Sequence, residues 1–460
     1  MTVGIDIGTS SVKAVAADGN GRVLARARMP HALVTDSPHR LEHDARAAWC
    51  EGPRRALDDV VGRLRSEGHP VPRAVAVSAM VPSLTPVDEA GRPIGPGVLY
   101  DDERGRSGHG GDRDPTRSLE TLALLTWAAN AYPSARGYWP AQAVANRALG
   151  GRAAVDFGTA FSTGPLFGGD GWDAVRCAKA GADRSQLPEM VMFGEIIGEV
   201  DGLPSAAMVA GGVDALCEEM VAGPLAPGDV LVVCGSTLVV WVVAESELAS
   251  VDQLTQRVPP DGLWRLPSLS RGMTMVGGPS NAGGLFLDWV DHLIRPAGDA
   301  GLDPGRIPVW RPFLRGERVP FHDPGLRGGL AGLDVTHSPA ALRRAAYEAS
   351  AMAIRLIVER AGAKPRRIVA SGGGSQVRSW LRAIADVNGV PVEPVAVPEG
   401  AALGAAWMAR IGARLETSID DAGRWAAYGS VVDPDPRWVG PSGERYLHYA
   451  EQVEVIGAPD

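Results

Sequence analysis

Two stretches of the chain share one pattern, in which an apolar strand leads to a turn of glycine and hydroxylated residues and a second apolar strand follows. Val3 to Val15 reads VGIDIGTSSVKAV, and Val230 to Val243 reads VLVVCGSTLVVWVV. Alternating apolar positions on both sides of a short polar turn predict a β-hairpin in each case. Gly8 and Gly235 stand in corresponding places, so the repeat predicts two similar domains facing a central cleft.

The residue types in these turns suit phosphate, because hydroxyls and turn N–H groups bind its oxygens. The hydroxylated residues correspond in order: Thr9 to Ser236 and Ser10 to Thr237. Asp6 has Val233 as its counterpart, so only the first stretch carries a carboxylate suited to a hydrated Mg²⁺. The first stretch alone is also typical of an ordinary hairpin. Its agreement with the second favours phosphate binding.

Strands and helices alternate along the rest of the chain, which indicates an α/β fold. The predicted elements are a strand at Arg22 to Met29, a helix at Ala45 to Leu64 interrupted at Gly52-Pro53, a strand at Arg73 to Met80, a helix at Thr121 to Leu149, an irregular stretch at Ala154 to Gly171, a helix opening at Ser338-Pro339, a strand at Arg367 to Ser371 and a helix at Ala401 to Ile411.

Composition shifts suggest where the domains meet. The segment from Pro224 to Gly228 is rich in proline and glycine and predicts a boundary, with domains at residues 1–224 and 225–430. Residues 431–460 predict a C-terminal tail, either a terminal strap or a disordered end. Gly105 to Arg117 lacks apolar periodicity and predicts a mobile loop.

Composition narrows the function classes. The 460 residues are 45% hydrophobic and 22% charged, as in ordinary soluble enzymes. A formal charge of −9 disfavours a nucleic-acid surface. The four cysteines lack metal-ligand spacing, and no apolar run has the length of a membrane span. The expectation is a cytoplasmic enzyme with a small-molecule substrate, without nucleic-acid or membrane partners.

Asp214 is the candidate general base. It follows a Gly-Gly turn in VAGGVDALCEEMVAG and opens a predicted helix. Phosphoryl transfer needs alignment, charge neutralisation and one acceptor for the proton of the attacking hydroxyl, which a single carboxylate supplies. Aspartate is also a common helix cap, and that alternative stays open for this residue. The two phosphate turns favour catalysis.

A glycine-rich turn from Gly372 to Gln376 joins a strand to a helix and is able to hold adenosine or an anion. It lacks the spacing of the dinucleotide fingerprint, and the chain has no Walker A sequence. The stretch from Gly278 to Ala282 lacks the last glycine of the serine-hydrolase elbow, which disfavours a hydrolase.

Taken together, these motifs resemble the FGGY family of carbohydrate kinases, xylulose kinases in particular, within the superfamily of actin- and hexokinase-type ATPases. The resemblance covers Val3 to about Met408. Its pieces are IDIGTSSVK, GGVDALCEEMVAG, CGST, GGPSNAGG, FLRGERVPFHDPGLRGGLAGL and ASGGGSQVRSWLRAIADVNGVPV. It implies two ribonuclease H-like domains, and the habit of the family is a homodimer.

The resemblance also implies roles for individual residues. Asp6 would support Mg²⁺ and Asp214 would deprotonate the sugar hydroxyl. The implied ATP-binding residues are Thr9, Ser10, Lys13, Gly235, Ser236, Thr237, Gly373, Gly374 and Gln376. The implied substrate-binding residues are Met80, Asp102, Arg104 and Asp214.

Several positions depart from the xylulose kinase pattern. Met80-Val81-Pro82 replaces Met-His-Gly, and Asp214-Ala215 replaces Asp-Asn, which removes polar partners for sugar hydroxyls. Tyr100 replaces a tryptophan, and Leu124 replaces a lysine. Each unpaired buried hydroxyl costs about 1 to 3 kcal/mol, so we expect a different or less polar ketose or polyol. The Arg-Glu pair of glycerol kinases is absent from this region of the sequence, which argues against glycerol.

The predicted function is therefore ATP-dependent phosphorylation of a primary hydroxyl on a ketose or polyol of the xylulose or ribulose type. The alternative is a sugar- or nucleotide-sensing protein of the same fold without turnover, an idea motivated by Val81 and Ala215. An actin-like or chaperone-type ATPase is disfavoured, because those proteins lack the RGER and GGGSQ segments found here.

Overall fold

The computed structural model describes residues 1–37, 40–104, 120–169, 171–245, 261–269, 272–295 and 301–456. They form two compact units. The first contains the described residues before Pro224 together with Glu399–Ala426, and the second contains Pro224–Pro398 and the described residues from Ala427 onward. The predicted loop at Gly105 to Arg117 lies outside the described residues.

The strands of the first unit are short and largely buried. They are β1 (Thr2–Ile7), β2 (Ser11–Ala17), β3 (Val23–Pro30), β4 (Glu42–His43), β5 (Ala74–Ala79), β6 (Ser83–Val87), β7 (Gly97–Leu99), β8 (Gly137–Trp139), β9 (Ala154–Asp156), β10 (Glu189–Val191), β11 (Ile196–Glu199) and β12 (Ala207–Val213). Six of these described strands form the main sheet in the order β11-β12-β5-β1-β2-β3.

The second unit contains its own sheet. Its described strands are β13 (Asp229–Cys234), β14 (Leu238–Glu245), β15 (Trp264–Pro267), β16 (Met273–Ser280), β17 (Val309–Arg311), β18 (Gly329–Ala331), β19 (Arg367–Ser371) and β20 (Val392–Pro394). Among them, six pair in the order β15-β16-β14-β13-β19-β20.

The two sheets repeat one topology. In the first, β1 pairs antiparallel with β2, which pairs antiparallel with β3, and β1 pairs parallel with β5, which pairs parallel with β12. In the second, β13, β14, β16, β19 and β20 pair in the same order and senses. The repeat predicted from the two hairpins is therefore present in the fold, which is α/β with two sheet-containing units.

Helices cover the faces of these sheets. The α-helices of the described residues are α1 (Gly52–Ser66), α2 (Glu120–Ala131), α3 (Ala141–Ala148), α4 (Phe157–Phe161), α5 (Ala174–Lys179), α6 (Asp214–Val221), α7 (Gly284–Leu293), α8 (Pro339–Arg360), α9 (Arg378–Asn388), α10 (Gly400–Gly412) and α11 (Pro436–Ile456). None of the helices in these ranges has both the length and the apolar composition needed to cross a membrane.

Several helices and strands begin or end at the positions that local sequence signals predicted. Ser338 caps α8, its hydroxyl accepting the Ala341 N–H at 3.2 Å, with Pro339 as the first helical residue. The predicted interruption at Gly52-Pro53 is a change of helix type, because a π-helical turn at Arg46–Glu51 precedes α1. Strand β19 has the predicted bounds.

Other predictions were wrong. The single helix predicted at Thr121 to Leu149 is two helices, α2 and α3, separated by β8, because β8 pairs with β6 and a helical period cannot show that pairing. The stretch from Ala154 to Gly171, predicted to be irregular, contains β9 and α4. Asp156 caps α4 by accepting the Gly158 and Thr159 N–H groups.

Two C-terminal segments also differ from their sequence-based description. Helix α10, assigned from the sequence to the C-terminal domain, packs in the first unit against β1. A Cβ atom at Gly4 would lie 1.8 Å from the Ala402 carbonyl oxygen, so only glycine allows this approach. Residues 436–456 form helix α11, and its Tyr446, Tyr449 and Val453 side chains are buried in the core of the second unit.

Candidate functional site

The first predicted phosphate turn closes the hairpin of β1 and β2. The Gly8 N–H donates to the Ser11 carbonyl at 3.2 Å, and Ile7 pairs with Val12 across the turn. Ser10 is exposed at the tip of the turn, whereas Thr9 is buried. The turn therefore combines one accessible hydroxyl with one that the surrounding structure holds in place.

Two side chains, Tyr100 and His43, contact Thr9, and a third, Trp49, holds His43. Its hydroxyl lies 2.7 Å from the Tyr100 hydroxyl, and its carbonyl oxygen accepts from His43 Nε2 at 2.8 Å. The Trp49 indole N–H donates to His43 Nδ1 at 3.0 Å, which places the histidine hydrogen on Nε2. Burial lowers the pKa of His43 to about 3, and His31 beside it acts in the same direction. His43 is therefore neutral and supports the turn at neutral pH.

Asp6 lies next to this turn with a side chain that is only 6% exposed. It pairs in register with Lys13 on β2, whose Nζ is 4.0 Å from Asp6 Oδ2. Burial raises the pKa of Asp6, and the charge of Lys13 opposes that shift. Within the described part of the chain, Asp6 Oδ1 is buried without a hydrogen-bond partner. An orphaned carboxylate oxygen of this kind fits a hydrated divalent cation.

The parallel strands bring three predicted site residues to one edge of the sheet. Asp6 lies near the carboxyl end of β1, Met80 directly follows β5, and Asp214 directly follows β12. Asp6 pairs in register with Ser78, and Val213 pairs with Ala79. The carboxyl ends of neighbouring parallel strands meet at one edge, where α/β proteins bind their ligands.

Asp214 is the first residue of α6, and Val213 is the N-cap residue. Asp214 is therefore not the N-cap residue itself, but its carboxylate accepts an N–H of the first helical turn, so the capping alternative stays open. Asp214 Oδ1 accepts the Ala215 N–H at 2.8 Å, and the side chain is half-buried. Burial, followed by the charges of Asp156, Asp6 and Asp214, raises the pKa of the Cys217 thiol well above its usual range. The charges of Asp6 and Asp214 thus both raise the pKa of the buried Cys217 thiol.

Asp102 and Arg104 form a clamp after β7. Asp102 is 2% exposed and binds the Arg104 guanidinium through both carboxylate oxygens, at 2.9 and 2.7 Å. Asp102 Oδ2 also accepts the Leu41 N–H, and Glu42 lies 2.6 Å from Arg104 Nη2. The Arg104 guanidinium lies over the Trp127 ring, 4.5 Å from its centroid. Asp102 therefore orients Arg104, and the more exposed arginine is the better placed of the two to meet a substrate.

The second predicted phosphate turn closes β13 and β14. The Gly235 N–H donates to the Thr237 carbonyl at 3.1 Å, and Cys234 pairs with Leu238. This turn is one residue shorter than the first, so the two sequences correspond only as far as the tip. The first N–H groups of α7 donate to the turn, from Gly284 to the Gly235 carbonyl at 2.8 Å and from Leu285 to the Ser236 carbonyl at 2.9 Å.

The glycine-rich turn lies at the carboxyl end of β19, beside β13. Gly373–Gln376 form one turn of 3₁₀-helix. A Cβ atom at Gly373 would meet nothing within 4 Å, whereas one at Gly374 would strike the Trp380 ring at 2.2 Å. Gly374 is therefore required for packing, and the Gly373 side of the turn is open. Gln376 Nε2 donates to Ser375 Oγ at 3.3 Å.

Sequence reasoning missed three groups that support these turns. They are His43, Trp49 and Glu317. His43 and Trp49 are six residues apart, and no spacing rule connects them with Thr9. Glu317 stands in RGER, where a lone acid between two arginines in an apolar segment was a signal for a buried, partnered carboxylate.

Comparison with known proteins matches this chain to carbohydrate kinases, both by family and by individual relatives. Residues 1–108 match the N-terminal domain of the FGGY family of carbohydrate kinases, and residues 199–413 match its C-terminal domain. A xylulose kinase of Escherichia coli K12 is 26% identical, covering 93% of this chain and 96% of that protein. A gluconokinase of Bacillus subtilis is 23% identical, and the match covers 84% of this chain and 82% of that protein.

A solved structure has the same fold along the whole length. The crystal structure of xylulose kinase from Rhodospirillum rubrum superposes with a TM-score of 0.76 at 25% identity, covering 99% of this chain and 98% of that one. The fold is thus shared with a solved sugar kinase over nearly the whole of both chains.

Proposed function

Because this chain belongs to the FGGY family of carbohydrate kinases and is therefore an ATP-dependent phosphotransferase, we propose that its acceptor is a primary hydroxyl of a ketose or polyol. One observation carries the proposal. Asp6, Met80 and Asp214 share one sheet edge, beside a hairpin turn whose Thr9 is contacted by Tyr100 and His43. A carboxylate, a turn suited to phosphate and a buried metal-binding oxygen are the parts that phosphoryl transfer requires.

Asp214 is the general base of the proposed reaction. The acceptor hydroxyl gives its proton to the Asp214 carboxylate as its oxygen bonds to the γ-phosphorus of ATP, and the bond to the β-phosphate oxygen breaks to release ADP. The position of Asp214 at the start of α6 is stiff, because Ala215 N–H binds one of its oxygens. Positioning of this kind supplies much of the rate in phosphoryl transfer.

Each unit contains residues that we assign to nucleotide binding. In the first, Thr9 and Ser10 bind phosphate oxygens and Lys13 neutralises charge. In the second, Gly235, Ser236 and Thr237 bind phosphate, and the turn with Gly373, Gly374 and Gln376 lines the adenosine. The open space at Gly373 and the bonded geometry of the Gly235 turn support these roles.

Asp6 is the residue that would hold Mg²⁺, which supplies charge neutralisation on the phosphates when it is bound. No group of three or more acidic, histidine or cysteine side chains suited to a metal is found in the described ranges. A cation here would accordingly take one protein carboxylate and fill its other positions with water and phosphate oxygens, as Mg²⁺ does in many kinases.

The acceptor contacts differ from the pattern of xylulose kinases. Val81 and Ala215 are half-buried where that pattern has histidine and asparagine. Leu124, in place of a lysine, is buried in an apolar cluster and takes no part in polar recognition. Fewer polar partners favour an acceptor with fewer hydroxyls near Asp214, or one that binds through Arg104.

A panel of acceptors tests this assignment. The purified chain is mixed with ATP, Mg²⁺ and one compound at a time from a set of pentuloses, pentitols, glycerol and gluconate, and ADP release is measured. Release that depends on a ketose or polyol supports the proposal. Release with gluconate alone contradicts the acceptor class. Nucleotide binding without release for any compound supports the sensing alternative.

A further inference from the structure

Glu317 is a buried carboxylate of the second unit, 3% exposed, in the segment between β17 and β18. Its Oε2 accepts from the Ser280 hydroxyl at 2.8 Å, and its Oε1 accepts the Asn281 N–H at 2.7 Å. The Arg318 N–H also donates to Oε1 at 2.7 Å. Three donors therefore converge on one carboxylate, and two of them lie at the end of β16 and directly after it.

The segment that follows β16 joins this strand to α7 and contacts the second predicted phosphate turn. The Ala282 N–H donates to the Ser280 hydroxyl at 3.1 Å, so Ser280 relays the support of Glu317 to the next turn of chain. A Cβ atom at Gly283 would lie 2.4 Å from the Thr237 carbonyl carbon, which shows how closely the two backbones approach. Gly284 and the residue after it then donate to the carbonyls of Gly235 and Ser236.

We propose that Glu317 is a positioning residue for phosphate binding, because it fixes residues 280–284 and through them the Gly235–Thr237 turn. The inference rests on the proposed function, since it assumes that this turn binds nucleotide phosphate. Glu317 does not touch the nucleotide in this proposal. It holds residues 280–284, and these residues hold the Gly235–Thr237 turn that binds phosphate.

Burying a carboxylate at position 317 costs folding free energy, and this cost supports a specific role for Glu317. Burial raises the pKa of Glu317 to about 7, although the three hydrogen bonds and the Arg318 charge oppose that shift. A buried charge is expensive, and an apolar residue of similar size would fill the same space at a lower cost. The two carboxylate oxygens accept from Ser280 and Asn281 at the same time.

The test compares Glu317→Gln, Glu317→Ala and Ser280→Ala with the unaltered chain. Glutamine keeps an oxygen for Asn281, whereas alanine leaves three donors without their acceptor. The dissociation constants of ADP and adenosine are measured by calorimetry, and KM for ATP and kcat are measured with an active acceptor. Because the turn binds phosphate in this proposal, displacing it should weaken the binding of ADP. The binding of adenosine, which carries no phosphate, should stay unchanged.

We expect about tenfold weaker ADP binding for Glu317→Ala, and about two- to threefold weaker binding for Glu317→Gln and Ser280→Ala, with KM for ATP rising in the same order. Glu348→Gln is the matched control. Glu348 is a buried carboxylate of the same unit that binds Arg344 and Arg445, so this variant lowers the melting temperature and leaves the ratio of ADP to adenosine affinity unchanged.

The outcomes separate the two proposals. Should the unaltered chain phosphorylate a sugar while every Glu317 and Ser280 variant keeps the original affinity ratio, the positioning role is overturned and the kinase assignment stands. Should the chain bind no adenine nucleotide at all, the proposed function fails and this inference fails with it. If Glu317→Ala does not fold, the glutamine and Ser280 variants still decide.

Discussion

The hydroxyl groups of Thr9 and Tyr100 lie 2.7 Å apart, and both residues are buried. The pair joins the first phosphate turn to the segment that carries Asp102 and Arg104, so one hydrogen bond connects the proposed phosphate and acceptor contacts. Tyr100 stands where the xylulose kinase pattern has tryptophan, whose N–H can only donate. When the Tyr100 hydroxyl donates to Thr9, as a tryptophan N–H would, the Thr9 hydrogen stays available for a phosphate oxygen.

Removing the Tyr100 hydroxyl tests this connection. Tyr100→Phe loses one hydrogen bond worth about 0.5 to 1.5 kcal/mol and should lower kcat/KM about two- to tenfold. Steady-state kinetics with the best acceptor measure the change. Tyr138→Phe is the control, because the Tyr138 hydroxyl donates to the Tyr132 carbonyl within the same unit. Equal kinetic effects of the two substitutions would show that the Thr9 contact has no special role.

Asp214→Ala should lower sugar phosphorylation by about 10²- to 10⁴-fold, because the acceptor loses its general base. Nucleotide affinity should stay within about twofold of the unaltered chain, since Asp214 does not bind phosphate in the proposed mechanism. Single-turnover kinetics and ADP titration measure the two quantities separately. Unchanged turnover would remove Asp214 from the mechanism.

Asp6→Asn should separate activity from stability. Burial raises the pKa of Asp6, so folding favours the protonated carboxyl, and the stability that this group contributes is present at low pH and lost as pH rises through its folded pKa. The ionised carboxylate therefore costs stability at neutral pH. Asparagine removes that cost, and the melting temperature at pH 7 without metal should rise, while activity falls about 100-fold because the metal ligand is lost.

The Asp6→Asn melting curves are recorded at several pH values without divalent cations. The increase in melting temperature caused by Asp6→Asn should become smaller as the pH is lowered, because the unaltered Asp6 is then protonated in both folded and unfolded chains. A lower melting temperature at neutral pH would contradict the assignment of Asp6 as a buried carboxylate whose ionised form costs stability when no cation is bound.

His43 should stay neutral across the physiological range. Burial lowers its pKa from 6.5 to about 3, so the stability it provides is present above about pH 6.5 and lost as pH falls toward 3. NMR of labelled imidazole should show no titration of His43 between about pH 5 and pH 8. A midpoint near the ordinary histidine value would show that the contacts with Thr9 and Trp49 do not persist in solution.

Two tyrosines of α11 should respond in opposite ways to loss of their hydroxyls. The Tyr449 side chain is 0% exposed, and its hydroxyl has no hydrogen-bond partner among the described residues. The Tyr446 hydroxyl donates to Glu359 Oε2 at 2.6 Å. Tyr449→Phe should stabilise the chain by about 1 kcal/mol, and Tyr446→Phe should destabilise it by about 1 to 2 kcal/mol.

Denaturant unfolding measures both free energies of unfolding. The two residues lie on one helix and both are buried, so each variant serves as the control for the other. A loss of stability in Tyr449→Phe similar to that in Tyr446→Phe would mean that the Tyr449 hydroxyl has a partner in solution.

Local signals were sufficient for much of the fold. Alternation and turn residues predicted both hairpins, and the Ser338-Pro339 pair predicted the start of α8, because strand period and cap chemistry act between residues close in sequence. The helix predicted at Thr121 to Leu149 failed for the opposite reason. Strand β8 inside it exists because it pairs with β6, about fifty residues earlier in the chain.

The sequence by itself determined the family, the α/β alternation and the candidates Asp6, Thr9 and Asp214, because those depend on residue types at short spacing. Only the tertiary structure decided which side chains surround Thr9, Asp102 and the second turn. It placed His43 and Tyr100 on Thr9, Arg104 in the Asp102 clamp and Glu317 behind the second turn. These contacts join residues far apart in the chain, and burial, which sets the pKa of His43 and Glu317, follows from packing that no local pattern encodes.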